Sequence, residues 1–453
     1  MASELRAPVE QRPTSGSPEA TADEPQDVLS ALTVAGDGSE TALQGSAATD
    51  STLSDTRALR VAVLDPIGRG SLLHYAAKLT EALAALGVES TLVTSSDGKA
   101  RLWSASVRVE RRLAGARREM TRPRRAAAYA LSVAALLRWL RQQRFDIVHL
   151  HESLVPPVDA LLARVLEYVG LPLVYTAHDP DHDYAARMSP SRWSLRRRSL
   201  EALYRRSRAI ICLSRPAYSH LVSVKGVKPE RVVYIPHANY LSMRDGVDID
   251  RAGARAQLGI SRDEKVILLF GSLKQTKGLS HLLDAFSLVR SSEPRARLLI
   301  AGMPRSGVNV VEIQQGIDKL RLQGAVTLHP WFVPEERLPL YFLAADIVVL
   351  PYLRVYQSGV LHVAYAFSRP VVASAVGSLV DDVRDGRSGL LVPPGDSQAL
   401  AEALCVLLRD DAARRRMGSY ARRMADENQY SWRQTAKDTL AVYKRILAGD
   451  GSH

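Results

Sequence analysis

The sequence predicts an α/β chain of two doubly wound parallel-sheet domains facing across a cleft, preceded by a disordered tail. Three observations carry this. Short β-branched runs alternate with helix-periodic segments along nearly all of the chain after residue 58. The alternation falls into two series separated by the polar stretch SMRDGVDIDRAG (242–253). At 453 residues the chain is also too long for one ordinary core.

Residues 1–57 are rich in Ala, Ser, Thr, Gly, Pro and Asp with few large apolar groups. They bury too little surface to offset chain entropy and read as a disordered tail. LRVAVLD (59–65) opens the first series as a strand, and a Gly-containing turn leads into SLLHYAAKLTEALAAL (71–86), apolar at helical spacing. STLVTS (90–95), DIVHLH (146–151), LPLVYTAH (171–178), AIICLS (209–214) and RVVYIPH (231–237) continue it. The second series comprises KVILLFG (265–271), ARLLIAG (296–302), AVTLHP (325–330), DIVVLPY (346–352), RPVVAS (369–374) and SGLLVPP (388–394). Apolar strands alternating with helices require cover on both faces, hence parallel sheets. Each strand opens into a loop at its carboxyl end, where such sheets place ligands. The expected divisions are 58–241, 242–428 and a last helical stretch, 429–453.

Hydrophobic residues at 46% and charged residues at 24% fit a soluble globular protein, and the net charge of +12 points to acidic partners. Nucleic acid is disfavoured: no binding motif accompanies the charge, and aromatics at 6% offer few stacking platforms. Cys212 and Cys405 lie in apolar runs, which suits buried reduced thiols in a cytoplasmic protein. The first residues hold no apolar signal core, and the longest apolar run, 126–137, is too short to span a bilayer. A soluble or peripheral protein is expected.

The chemistry-bearing segments are two turns of one design. In PYLRVYQSGVLHVAYAFSRPVVAS (351–374), Gln357, Ser358 and Gly359 join a buried strand to a helix, exposing N–H groups at the helix start. That seat suits a phosphate or diphosphate. FGSLKQTKG (270–278) repeats it, with Gly271 and Gly278 flanking Lys274 and Lys277, two cations able to reach the same anion. HDPDHD (178–183) holds metal-ligand residue types, the basis of a metal-dependent hydrolase or nucleotidyl transferase as a rival. Its residues are consecutive and stiffened by Pro180, so few converge on one ion. Basic segments at 108–125 and 192–208, the latter with Trp193, Leu195, Leu200, Leu203 and Tyr204, suit an anionic membrane surface or a solvated face.

From Arg60 to Leu447 the chain resembles the family 4 glycosyltransferases, of the GT-B fold with two Rossmann-like domains. The resemblance rests on the order and spacing of DPIGRGS (65–71), VYTAHDP (174–180), ICLSRPA (211–217), YIPHANY (234–240), LLFGSLKQTKG (268–278), AADIVVLPY (344–352), QSGVLHVAYAFSRPVVAS (357–374) and DGRSGLLVPPGD (385–396). It implies sugar transfer from a nucleotide-diphosphate donor, with retention and no metal or other cofactor. Expected acceptors are a glycan or a lipid-linked sugar at the cytoplasmic membrane face. Many members carry a Glu-x7-Glu pair where this chain has Val355 and Val363. A silent binding relative and a nucleotide-sugar epimerase or hydrolase therefore stand as alternatives. The resemblance further implies that Lys274 and Lys277 stabilise the leaving diphosphate, that His178 faces the transferring sugar with Asp179 orienting it, and that Gly70, Ser71 and His237 line the cleft. It also implies that the last helix crosses the domain junction.

Overall fold

The computed structural model describes residues 57–95, 107–114, 121–180, 190–305 and 307–449. The expected tail, residues 181–183 of the HDPDHD run and part of the first basic segment lie outside the described residues. Residues Arg57–His453 form one compact unit.

The first series folds as β1 (Arg60–Asp65), α1 (Gly70–Ala84), β2 (Glu89–Ser95), β3 (Arg108–Leu113), α2 (Arg122–Gln143), β4 (Ile147–His151), α3 (Pro156–Tyr168), β5 (Leu173–Ala177), α4 (Pro190–Arg206), β6 (Ala209–Cys212), α5 (Arg215–Ser223) and β7 (Val232–Tyr234). The second follows as α6 (Arg251–Gln257), β8 (Lys265–Phe270), α7 (Leu279–Ser292), β9 (Ala296–Ala301), α8 (Val310–Lys319), β10 (Val326–His329), α9 (Leu338–Ala344), β11 (Ile347–Leu350), α10 (Gly359–Ala366), β12 (Val371–Ser374), α11 (Leu379–Asp382), β13 (Gly389–Val392), α12 (Ser397–Arg409), α13 (Asp411–Asp426) and α14 (Trp432–Leu447).

All strand pairings are parallel, in the orders β3-β2-β1-β4-β5-β6-β7 and β10-β9-β8-β11-β12-β13. Both sheets thus run outward from their first strand and then reverse to its other side. Each reversal leaves a crevice at the carboxyl ends, between β1 and β4 in one sheet and between β8 and β11 in the other. Strand alternation feeds two cores per sheet. In β1, Ala62 and Leu64 pack under α2, α3, α4 and α5, whereas Val61 and Val63 pack under α1 and α14.

The structure revises three sequence readings. Arg108, Arg111 and Arg112 belong to an edge strand rather than a basic amphipathic helix, and Arg108 and Arg112 pair with Glu110 at 3.3 Å and 3.1 Å. On α4, Leu200, Leu203 and Tyr204 are spent on the core, leaving Leu195 exposed. Cys212 is buried, but Cys405 is only partly so.

The last helix returns to the first sheet. Buried Tyr443 Oη lies 2.6 Å from His149 Nδ1, whose other ring nitrogen is 2.7 Å from Thr176 Oγ1. Tyr443→Phe strands a buried ring nitrogen and is expected to cost about 1–3 kcal/mol. A lowered denaturant midpoint with an unchanged m-value checks it; an unchanged midpoint counts against it.

Candidate functional site

At the crevice of the second sheet, the exits of β8 and β11 are knitted together by close backbone approach. Gly278 has a left-handed φ of 63°, and a Cβ there would stand 1.9 Å from the Pro351 carbonyl oxygen. Leu353 N–H donates to Thr276 O at 2.8 Å. This places Lys277 Nζ 3.3 Å from the centroid of the buried Tyr352 ring. Desolvation, with Lys274 nearby, pushes the Lys277 ammonium well below its ordinary pKa. The ring face attracts a cation but supplies no counter-charge, so the charged form of Lys277 lacks an anion to hold it.

Across from it α10 begins. Ser358 holds the N-cap position in extended backbone, yet its side chain makes no capping bond. Its buried Oγ lies against the Tyr352 hydroxyl and makes no bond to the α10 backbone. Gln357 Oε1 is buried without a partner. Gly271 abuts the first turn of α10, where a Cβ would meet Val360 at 3.2 Å. The positions of the missing Glu pair are apolar in their surroundings too: Val363 is buried, and Val355 packs on the same core.

A column of rings connects this crevice to the first sheet. His362 of α10 stacks on His237 at 4.9 Å, and His237 stacks on Tyr240 at 5.5 Å. Tyr240 in turn stacks on His74 of α1 at 4.9 Å. A Cβ on Gly359 would lie 3.2 Å from Tyr240 Oη, so this ring sits against the starts of both α10 and α1. His74 Nδ1 is 2.6 Å from Glu335 Oε1, a direct link between the two halves. Tyr75 meets His178, His237 and Trp432 edge-on at 5.0 Å, 5.3 Å and 5.1 Å.

The structure thus places Gly271, Ser358 and Gly359 around the start of α10, Lys277 on Tyr352 with Lys274 beside it, and His237 on His362 of α10. His178 reaches His237 through Tyr75, and Gly70 and Ser71 open α1. Gly68 is fixed by contact, since a Cβ there would lie 1.9 Å from Ser95 Oγ. Its N–H donates to Asp65 Oδ2 at 3.0 Å, while burial pushes the Asp65 carboxyl up to about 7.

Sequence reasoning missed Tyr75, Tyr240, Tyr352 and the pair His149 and His151. The histidines were findable, as two ionisable residues at i and i+2 share one face of a buried strand. Burial lowers His149 and His178 to about 3 and His237 to about 4. His151 and His362 are also driven well down by burial. Burial therefore keeps these imidazoles neutral at ordinary pH. Both nitrogens of His151, Nε2 of His178, Nε2 of His74 and the Tyr240 hydroxyl are buried without partners. Unpaired polar atoms concentrated along one cleft are what a polar ligand would satisfy.

With this geometry in place, similarity to known proteins is specific. Residues 74–238 match the family described as Glycosyltransferase Family 4, and residues 250–424 match Glycosyl transferases group 1. A D-inositol 3-phosphate glycosyltransferase from Nocardioides is 33% identical over 324 residues, covering 67% of this chain and 68% of that protein. One of the same name from Corynebacterium efficiens is 28% identical over 399 residues, covering 84% and 92%. Among solved structures, sucrose-phosphate synthase from Thermosynechococcus elongatus superposes with a TM-score of 0.71 at 23% identity over 86% of this chain and 100% of that one. Anabaena HepE in complex with UDP-glucose gives 0.66 at 21% identity, over 85% and 100%.

The neutral histidines carry a pH signature. Their folded pKa values lie below the unfolded value of about 6.5, so the unfolded chain binds protons first on acidification. Each contributes stability that is full above about 6.5 and lost as pH falls toward 3–4. Asp65 acts in the opposite sense, holding a proton when folded up to about 7 and so favouring the fold on the acid side. Imidazole carbon-bound proton signals of His149, His178 and His237 are expected to show no titration between about pH 8 and about pH 5. A step near 6.5 in any of them contradicts the assigned burial.

Proposed function

The chain belongs to the family 4 glycosyltransferases, and from that premise we propose that it transfers a sugar, with retention of configuration, from a nucleotide-diphosphate donor to a hydroxyl-bearing acceptor. The supporting observation is the anion seat at the β8/β11 crevice: Lys277 desolvated on Tyr352, the Ser358 hydroxyl and the start of α10. Breaking a glycosyl phosphate bond develops negative charge on the diphosphate and positive charge on the sugar. A cation and N–H dipoles fixed before reaction lower that barrier without reorganising. A phosphate beside Lys277 supplies the missing counter-charge and raises its pKa again. His178, neutral and with Nε2 unpaired, suits a sugar hydroxyl rather than a general base. The acceptor's proton then goes to a donor phosphate oxygen, and no resident cofactor enters the scheme.

The acceptor side belongs to the first sheet. The names of the relatives favour a cyclic polyol phosphate. A glycolipid precursor at a cytoplasmic, anionic membrane face is the second reading, carried by the α2–α4 side of that sheet. There Leu131, Leu161 and Leu195 are exposed by 74%, 60% and 58% among exposed Arg138, Arg141, Arg164, Arg197, Arg198 and Arg205. No helix among the described residues is long and apolar enough to cross a membrane.

Three outcomes test this. A thermal-shift screen against UDP, GDP, dTDP and ADP is expected to stabilise the fold with at least one of them. Lys277→Ala should lower transfer about 10²-fold or more, whereas Gly359→Val should abolish donor binding with a cooperative melt retained. A flat screen rejects the proposal and favours a silent, partner-binding relative, whereas a fully active Lys277→Ala rejects the leaving-group role of Lys277. Sedimentation with vesicles containing anionic lipid, set against neutral vesicles, decides the membrane reading.

A further inference from the structure

Glu152, the first residue after β4, has a left-handed backbone φ of 61°. The other described non-glycine residues with positive φ, Arg144, Arg321 and Ser368, terminate helices α2, α8 and α10, a customary use of that conformation. Glu152 terminates a strand and has no such reason. A bulky residue held in this region is strained, and strain persists where the surroundings over-determine it.

The surroundings here are the carboxyl ends of β4 and β5, beside the β1/β4 crevice that is the counterpart of the one carrying Lys277. Glu152 is buried, 6% exposed. Its Oε2 accepts from Asp179 N–H at 3.3 Å, and its Oε1 accepts from the Tyr175 hydroxyl at 3.4 Å. Asp179 directly follows His178 on the turn leaving β5, and the Tyr204 hydroxyl donates to Pro180 O of the same turn at 3.2 Å. The turn is thus gripped at its amide by Glu152 and at its carbonyl by Tyr204.

We propose that Glu152 is a positioning residue for sugar transfer: its left-handed backbone aims a buried carboxylate at the Asp179 amide and so fixes the turn that presents His178 to the reacting centre. This rests on the glycosyl-transfer reading above. A carboxylate kept only to satisfy a buried amide needs no strained backbone, so the two roles separate by substitution.

The test compares full-length Glu152→Gln, Glu152→Ala and Glu152→Gly with wild type, using UDP-glucose and D-inositol 3-phosphate as probes. Glycine removes the backbone strain with the carboxylate, and its melting temperature is expected at or above wild type. Displacing the turn by an ångström is expected to cost Glu152→Ala and Glu152→Gly about 10²-fold in kcat, with donor KM unchanged. Glu152→Gln, which still accepts from the amide, is expected to recover most of the rate. A melting temperature several degrees lower in Glu152→Gly, or kcat within about twofold of wild type in Glu152→Ala, overturns the proposal. If wild type shows no turnover with these probes, the transfer reading fails for that pair, and the melting comparison still decides the strain argument.

Discussion

Tyr240 is the piece on which the arrangement depends. Its ring is buried where the first turn of α1 and the start of α10 meet, stacked on His74 and on His237 and touching the position of Gly359. Two helix starts carry like partial charges and gain nothing by approaching each other directly. An aromatic wedge keeps both aimed at one space while excluding water between them. Its hydroxyl is buried without a partner, a polar end on an otherwise apolar wedge.

From that wedge follows the division of labour across the cleft. The second sheet contributes a desolvated lysine and helix N–H groups, which suit the leaving phosphates. The first contributes imidazoles kept neutral by burial, which suit hydroxyls. Burying polar groups without partners is costly, and the site keeps several. That cost is the usual sign of groups reserved for a ligand.

Every strand read from the sequence forms, because apolar β-branched runs between helix-periodic segments leave few other folds open. The strand that was not read, Arg108–Leu113, is an edge strand with one neighbour and a charged composition, so it carries no buried run to announce it. Lys277, Ser358 and Gly359 stand out locally, since cations, glycines and a hydroxyl cluster at strand-to-helix turns. Tyr75 and Tyr240 do not, because their meaning arises only when distant turns meet. Glu152 is the least legible of all: its identity suggests a solvated loop, and its significance lies in a backbone angle that no local pattern encodes.

The final helix has a consequence of its own. Trp432 and Tyr443 are the last large aromatic residues of the chain, yet they complete the core beneath β1 and β4. The first sheet therefore emerges from the ribosome lacking part of its own interior and must wait for the entire second half to be synthesised before it can be sealed. Its exposed apolar face during that interval is a surface for chaperones to shield. Assembly of the two halves is then one event, not the docking of two finished modules.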